Sequence, residues 1–277
     1  MDTDIAGAQR LLDELVSRSL AYRTSHDLRS LLDFTCRFPH LAPFNAMLLH
    51  VQNPGIRYAL RAPVWERLYQ RRIKPGARPY LILQTMGPVA FVFDLSDTED
   101  MSLFGSQIPD TVLNPFQTRG QPPPTVMAKL CAACRTVGIV VTERDYGTEQ
   151  AGCVQKVSGY DYDFSLRLNV KHTEAQKVAT FAHELGHLFC GHLGTTEVGF
   201  WPDRGGLALN VREFEAEAVA YLVAGRMALD IGSHRYLASY LTDNKPLPDY
   251  SLESVLKAAG KVEEMATGRF RLKKKKT

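Results

Sequence analysis

The chain has 277 residues, of which 45% are hydrophobic and 23% charged, and its formal net charge is +3. This composition is typical of a globular protein with a buried core, and no apolar run approaches the roughly 18 to 20 residues that cross a bilayer. The start of the chain carries two early acids and an apolar pattern with helical spacing, unlike the basic segment and apolar block of a signal peptide. We therefore expect a cytoplasmic protein without a membrane segment.

The positive charge is concentrated in a basic tail, residues 269–277, in which six of the last nine residues are Arg or Lys. This tail is either a solvated end or a contact for nucleic acid or acidic lipid. The five cysteines are odd in number and scattered, so we expect reduced thiols and no disulfide framework. A single CAAC at 131–134 lacks the second cysteine pair of a structural zinc site.

The first third of the chain predicts helices followed by a hairpin. Apolar residues at helical spacing indicate helices over 4–23 and 27–36, then short helices in FNAMLLHVQ and in PVWERLYQRR, both close behind a proline. The runs RPYLILQT and PVAFVFDL are typical of two paired strands. These elements form a first module, residues 1–100. Residues 101–123 are rich in Gly, Pro, Ser and Asn and end in QPPPT, so they are predicted to be a linker.

Residues 124–268 form the second predicted module. A helix over 124–137 precedes the strands GIVVTER, one near 153–157, and SLRLNV, whose alternation predicts one buried face. Helices follow over 173–191, 211–229, 233–242 and 250–267. The predicted fold class is therefore α+β, with a small α/β module before a short sheet packed by helices.

The helix over 173–191 contains HELGH, which predicts a metal site. His183 and His187 are four residues apart, so both imidazoles lie on one face and can share an ion. Glu184 is rotated by about 100° from His183, which leaves it near the water that such an ion activates, where a general base belongs. The alternative is a core helix with two satisfied histidines. The apolar surroundings favour the metal, because burying these groups without partners is costly.

A catalytic zinc ion needs a third protein ligand. His192 follows five residues after His187, on another helical face, and we discount it. In the helix over 211–229, Glu213 and Glu217 are spaced to share one face, and either could complete the site. Flanking alanines that permit close packing favour Glu217, whereas Glu215 is expected in a solvated stripe.

At these residues the second module resembles the ImmA/IrrE-type gluzincin metallopeptidases, in which the HELGH helix is followed by a helix of the form E-A-x-x-F/Y, here EAVAY at 217–221. The resemblance implies a zinc peptidase domain with one zinc ion, His183, His187 and Glu217 as ligands, Glu184 as catalytic base, and a protein or peptide substrate such as a regulatory protein. An asparagine that is frequent in the family is replaced here by Val219.

The first module resembles the N-terminal module of ArdC-like antirestriction proteins in the phrase FNAMLLHVQNP, the following tryptophan segment, the basic turn and VFDLSDTE. That family joins a single-stranded DNA-binding module to the same peptidase domain. The basic turn, RRIKPGARP, departs from the family's usual loop.

Between 57 and 80, cations alternate with aromatic residues, a combination that binds phosphates and stacks on bases in single-stranded nucleic acid. The alternative is a solvated basic surface whose aromatic rings point into the core. The candidate contacts are Arg57, Arg61, Trp65, Arg71, Arg72 and Lys74.

Two functions follow from these patterns. The first is a zinc-dependent metallo-endopeptidase of the ImmA/IrrE type with a regulatory or mobile-element role. The second is a single-stranded DNA-binding antirestriction protein in which the zinc site is structural or regulatory.

Overall fold

The structure is a computed structural model that describes residues 24–84, 87–102, 120–148, 150–195, 201–229 and 247–271, with single positions 14, 15, 17, 22, 108 and 237. The chain divides into two compact units, one of residues 1–23 with 27–117 and one of residues 24–26 with 118–277. Helices and small sheets occur together, which confirms the predicted α+β class. None of the described helices is both long and apolar enough to span a bilayer.

The first unit packs helices against a small antiparallel sheet of order β1-β4-β3, beside a separate β2-β5 pair. The predicted hairpin is present as β3 and β4. Strands β1, β2 and β5 were not predicted, because two or three residues are too short to show a period. The elements are α1 (Ser25–Cys36), α2 (Pro43–Gln52), β1 (Ala59–Leu60), α3 (Ala62–Tyr69), β2 (Arg71–Ile73), β3 (Tyr80–Gln84), β4 (Gly87–Asp94) and β5 (Thr98–Asp100).

Two buried polar residues of the first unit are bonded by their immediate surroundings. The carboxylate of Asp94 accepts hydrogen bonds from the backbone N–H groups of Arg57, at 2.8 Å, and Tyr58, at 2.9 Å. The His50 ring contacts the Tyr22 hydroxyl at 2.6 Å, and burial lowers the pKa of His50 to about 4. Both groups stabilise the fold locally.

The second unit contains a three-stranded sheet of order β6-β8-β7, in which β8 is parallel to β6 and antiparallel to β7. The prediction of one buried face for β8 is wrong. As the central strand it is buried on both faces, including Ser165 and Asn169. The elements are α4 (Val126–Thr136), β6 (Ile139–Arg144), β7 (Gly152–Lys156), β8 (Phe164–Asn169), α5 (Glu174–Phe189), α6 (Leu209–Arg226) and α7 (Leu252–Thr267).

Close packing of α5 against α6 depends on Gly186. A Cβ atom at this position would lie 3.1 Å from the Cα of Ala216 and 3.2 Å from the Cβ of Val219. Such distances are tighter than ordinary carbon contacts, so glycine allows the two helix backbones to approach. This approach brings the polar side chains of α5 and α6 within reach of one another.

Several predictions fall outside the described residues: the helix over 233–242 except position 237, most of the helix over 4–23, most of the linker, and the basic tail beyond residue 271. The five cysteines are free.

Candidate metal centre

Three side chains from α5 and α6 converge on one point. The Nε2 atoms of His183 and His187 lie 3.1 Å apart. The carboxylate of Glu213 places one oxygen 3.6 Å from Nε2 of His183 and the other 3.5 Å from Nε2 of His187. Two imidazole nitrogens and a carboxylate form a donor set that zinc accepts in catalytic sites. These residues could therefore hold a metal ion.

Glu217, one turn further along α6, contacts the opposite edge of the first histidine. Its carboxylate lies 3.2 Å from Nδ1 of His183. The distances thus favour Glu213 as the third ligand, which reverses the order of preference drawn from the sequence. Both glutamates lie on the same helical face, and the axial offset between α5 and α6 decides which one faces the two Nε2 atoms.

Glu184 lies beside this point and is buried, with 8% of its surface exposed. Burial raises the pKa of its carboxyl, while the charge of His183 and a hydrogen bond from the backbone N–H of Val154 act in the opposite direction. A raised pKa makes a carboxylate a stronger base, which favours its use as a proton acceptor.

Two cavities flank the histidines, and Glu184 lines both. The first has a volume of about 350 Å³ and a wall of small residues from α5 and α6, with Tyr221 at its edge. The second has about 360 Å³ and is lined by residues that include Val154 and Arg212. The buried Nε of Arg212 has no hydrogen-bond partner among the described residues.

The electrostatics of the cluster attract positive charge. Burial lowers the pKa of His183, but hydrogen bonds to Glu213 and Glu217 outweigh this effect and raise the pKa to about 10. Burial lowers the pKa of His187, and hydrogen bonds to the two histidines hold the pKa of Glu213 far below its usual range. A proton or a divalent cation satisfies this arrangement.

Sequence reasoning missed a second polar cluster behind His187. His192 has 3% of its surface exposed and Glu215 has none, so the expectation that Glu215 belongs to a solvated stripe is wrong. The helical pattern contained a usable signal, because Glu215 shares a face of α6 with Ala218 and Leu222. Its partner Arg204 lies in a loop, where spacing gives no information.

Trp65, a candidate for base stacking, is fully buried in the first unit. Its indole N–H donates to the carbonyl oxygen of Phe93 at 2.9 Å, and its ring packs against Tyr58 and Tyr69. The Trp65 ring therefore has no exposed face for a base, whereas Tyr58 and Tyr69 are half-buried.

The candidate cations are exposed except for Arg71, whose side chain is 14% exposed, and several have partners. Arg71 and Arg72 pair with Asp100 and Glu99 of β5. Lys74 donates to the carbonyl oxygen of Ser96 at 2.8 Å. Arg57 and Arg61 are exposed. The one aromatic ring among the candidate contacts, Trp65, is buried.

Comparison with known families supports the assignment of the second unit. Residues 134–231 match the family model of the IrrE N-terminal-like domain, a peptidase family. The match contains both site helices and supports an ImmA/IrrE-type, metallopeptidase-like domain in this part of the chain. Searches of curated proteins and of solved structures found no match. The likeness of the first module to ArdC-like proteins stays a prediction.

Proposed function

We propose that the second unit is a zinc-dependent metallo-endopeptidase of the ImmA/IrrE type, with one zinc ion held by His183, His187 and Glu213. The observation that carries the proposal is the convergence of these three donors within 4.8 Å of one another beside the buried Glu184. The family match over 134–231 supports it. The substrate is a protein or peptide and, by likeness to the family, a regulatory protein of the cell or of a mobile element.

Zinc fits these residues by the chemistry of the donor set, because it accepts imidazole nitrogen and carboxylate oxygen equally well. When bound, it supplies a Lewis acid that polarises a carbonyl group and acidifies water. Glu217, 3.2 Å from Nδ1 of His183, would accept the Nδ1 hydrogen and leave the Nε2 lone pair free to bind a metal, the usual function of a carboxylate behind a ligand histidine.

Glu184 moves the proton. Its raised pKa suits removal of a proton from the attacking water and return of that proton to the leaving amine. The N–H of Val154 orients the carboxylate. Because Val154 belongs to β7, an edge strand of the sheet, an extended peptide could bind alongside it by strand addition.

Metal analysis tests the ligand assignment. The purified wild-type chain should contain one zinc ion, and Glu213→Gln should lose it. Glu217→Gln should keep the ion with an affinity lowered by about 10- to 100-fold. If Glu213→Gln retains zinc and Glu217→Gln loses it, Glu217 is the ligand and Glu213 is not. A wild-type chain that binds no zinc, tested by titration into metal-free protein, would reject the proposal.

A further inference from the structure

Behind the proposed ligand His187 lies a chain of buried hydrogen bonds that the peptidase mechanism does not use. Nδ1 of His187 is 3.0 Å from Nδ1 of His192, and Nε2 of His192 is 2.9 Å from Oε2 of Glu215. Arg204 donates to both carboxylate oxygens of Glu215, at 2.6 and 2.7 Å. The backbone N–H of Ser251 donates to Oε1 of Glu215 at 2.7 Å.

The hydrogens of this chain have one consistent arrangement if His187 binds a metal through Nε2. Its single ring hydrogen is then on Nδ1 and is donated to Nδ1 of His192. His192 must carry its own hydrogen on Nε2, from which it donates to Glu215. The charge of Glu215 is balanced by Arg204, so the chain is satisfied without any buried excess charge.

The same region has the spacing of a second metal site, because Cys190, His192 and Glu215 offer donor atoms within 4.8 Å of one another. The structure argues against this use. Both oxygens of Glu215 bind the guanidinium of Arg204, and both nitrogens of His192 already have partners. Burial also raises the pKa of the Cys190 thiol, so the thiolate that metals prefer is disfavoured.

We propose that His192 is a positioning residue of the metal centre, which accepts the Nδ1 hydrogen of His187 and thereby keeps its Nε2 lone pair aimed at the ion. Glu215 and Arg204 hold His192 in the required orientation. This inference rests on the proposed function, since it takes His187 to be a ligand. The two ligand histidines are then held differently: His183 directly by a carboxylate that lines a cavity, and His187 by a buried neutral imidazole.

Arg204 also joins this chain to the end of α5. The Arg204 side chain donates to the carbonyl oxygen of Cys190 at 3.0 Å. The backbone N–H of Arg204 donates to the carbonyl oxygen of Gly191 at 2.8 Å. The orientation of His187 therefore depends on the loop that contains Arg204.

Two substitutions of His192 test the proposal in the full-length chain. His192→Asn keeps an acceptor oxygen close to the position of Nδ1, whereas His192→Leu has similar bulk and no acceptor. Zinc affinity is measured by competition with a chromophoric chelator, and the tautomer of His187 by the nitrogen-15 shifts of its imidazole. We expect His192→Leu to lower zinc affinity by about 10- to 100-fold and to disturb the tautomer, and His192→Asn to stay close to wild type in both.

Other results would overturn the proposal. Unchanged affinity and tautomer in His192→Leu would remove the positioning role. Equal losses in both variants with an unchanged tautomer would show a packing role only. Two zinc ions in the wild type, falling to one in His192→Leu, would show a second metal site.

If His192→Leu does not fold by circular dichroism, Arg204→Gln replaces it. This variant leaves the contact between His192 and Glu215 but removes the balancing charge, and we expect a smaller loss of affinity with the same change in the His187 signals. If Arg204→Gln folds and its His187 nitrogen-15 signals are unchanged, this would contradict the proposed role of the hydrogen bonds behind His187. The nitrogen-15 signals are also recorded on metal-free protein. A wild type that binds no zinc would reject the peptidase proposal, while the hydrogen bond between His187 and His192 would still be tested by these signals.

Discussion

Two segments of this chain mix ionisable and ring-bearing side chains in a similar way, and the fold treats them oppositely. In the first unit, the central ring is buried and the neighbouring cation exposed: Trp65 has none of its surface exposed, whereas the Arg72 side chain has 63%. In the second unit, around His187, the ionisable groups themselves face each other: His192 and Glu215 are buried, and the three candidate ligands are half-buried. The comparison shows that convergence of polar groups away from water indicates a site better than composition does.

Burial alone does not make this distinction. Asp94 and His50 are buried polar residues of the first unit, but each is bonded to neighbours that complete a turn or a helix contact. The cluster around His183 and His187 also opens onto two cavities. A candidate site therefore needs both converging polar groups and a cavity through which a ligand can reach them.

The largest expected effect concerns Glu184. Glu184→Gln should retain zinc but lower the rate of peptide hydrolysis by about 10²- to 10⁴-fold, because the proton acceptor is lost. The measurement is turnover of a peptide library followed by mass spectrometry, with metal analysis of the same samples. Glu174→Gln, an exposed carboxylate on the same helix, is the matched control and should be unaffected. Full activity in Glu184→Gln would refute its role as the base.

The next largest effect is the loss of stability that we expect when the buried Trp65 is replaced. Trp65→Leu should lower the free energy of unfolding of the first unit by about 3 kcal/mol, because it leaves a cavity and removes the hydrogen bond from the indole to the Phe93 carbonyl. Urea titration followed by circular dichroism measures the loss, and the zinc content of the second unit should not change. Leu68→Ala, at an exposed position of the same helix, is the control. A stable Trp65→Leu protein that has lost affinity for single-stranded DNA would mean that the ring binds bases after all.

The stability of the first unit should depend on pH, because the buried His50 changes its charge on unfolding. Burial is the main cause that lowers the pKa of His50 to about 4, with the charge of Arg37 acting in the same direction and that of Asp27 against it. Because this pKa lies below the value of about 6.5 in the unfolded chain, the contribution of His50 is complete above pH 6.5 and is lost as the pH falls towards 4.

We expect that loss to be about 2 kcal/mol, allowing for partial hydration of the ring. The measurement is the urea midpoint against pH by Trp65 fluorescence, in a Trp201→Phe background that removes the second tryptophan. In His50→Gln the same pH window should be flat. An equal slope with and without His50 would assign the pH dependence to other groups.

The smallest effect is expected for the surface cations. Any affinity for single-stranded DNA should be weak and salt-dependent, because the one aromatic ring among the candidate contacts, Trp65, is buried. Reversal of Arg57 and Arg61 should weaken it by a few-fold, and reversal of Arg71 and Arg72, which are already paired, by less. Fluorescence anisotropy with a labelled oligonucleotide at several salt concentrations measures both. Tight binding that is abolished by reversal of Arg71 and Arg72 would restore the antirestriction hypothesis.

The sequence predicted those features that depend on local pattern. The helix that contains HELGH has a strong apolar period and a capping residue, Thr173, whose hydroxyl accepts from the backbone N–H of Gln176. The choice between Glu213 and Glu217 depends instead on how far one helix is shifted along the other. The contacts of Arg204 depend on the return path of a loop. Neither the shift between the helices nor the path of the loop can be read from the periodicity of the sequence.

Gly186 has a further consequence for the choice of ion. Because only a hydrogen atom stands between the two helix backbones at this position, the spacing of the helices that carry the three donors depends on a residue that is not itself a donor. In Gly186→Ala the helices must move apart, so selectivity should shift from zinc towards a larger cation such as cadmium. The ratio of the two dissociation constants, compared between the variant and the wild type, measures this shift directly.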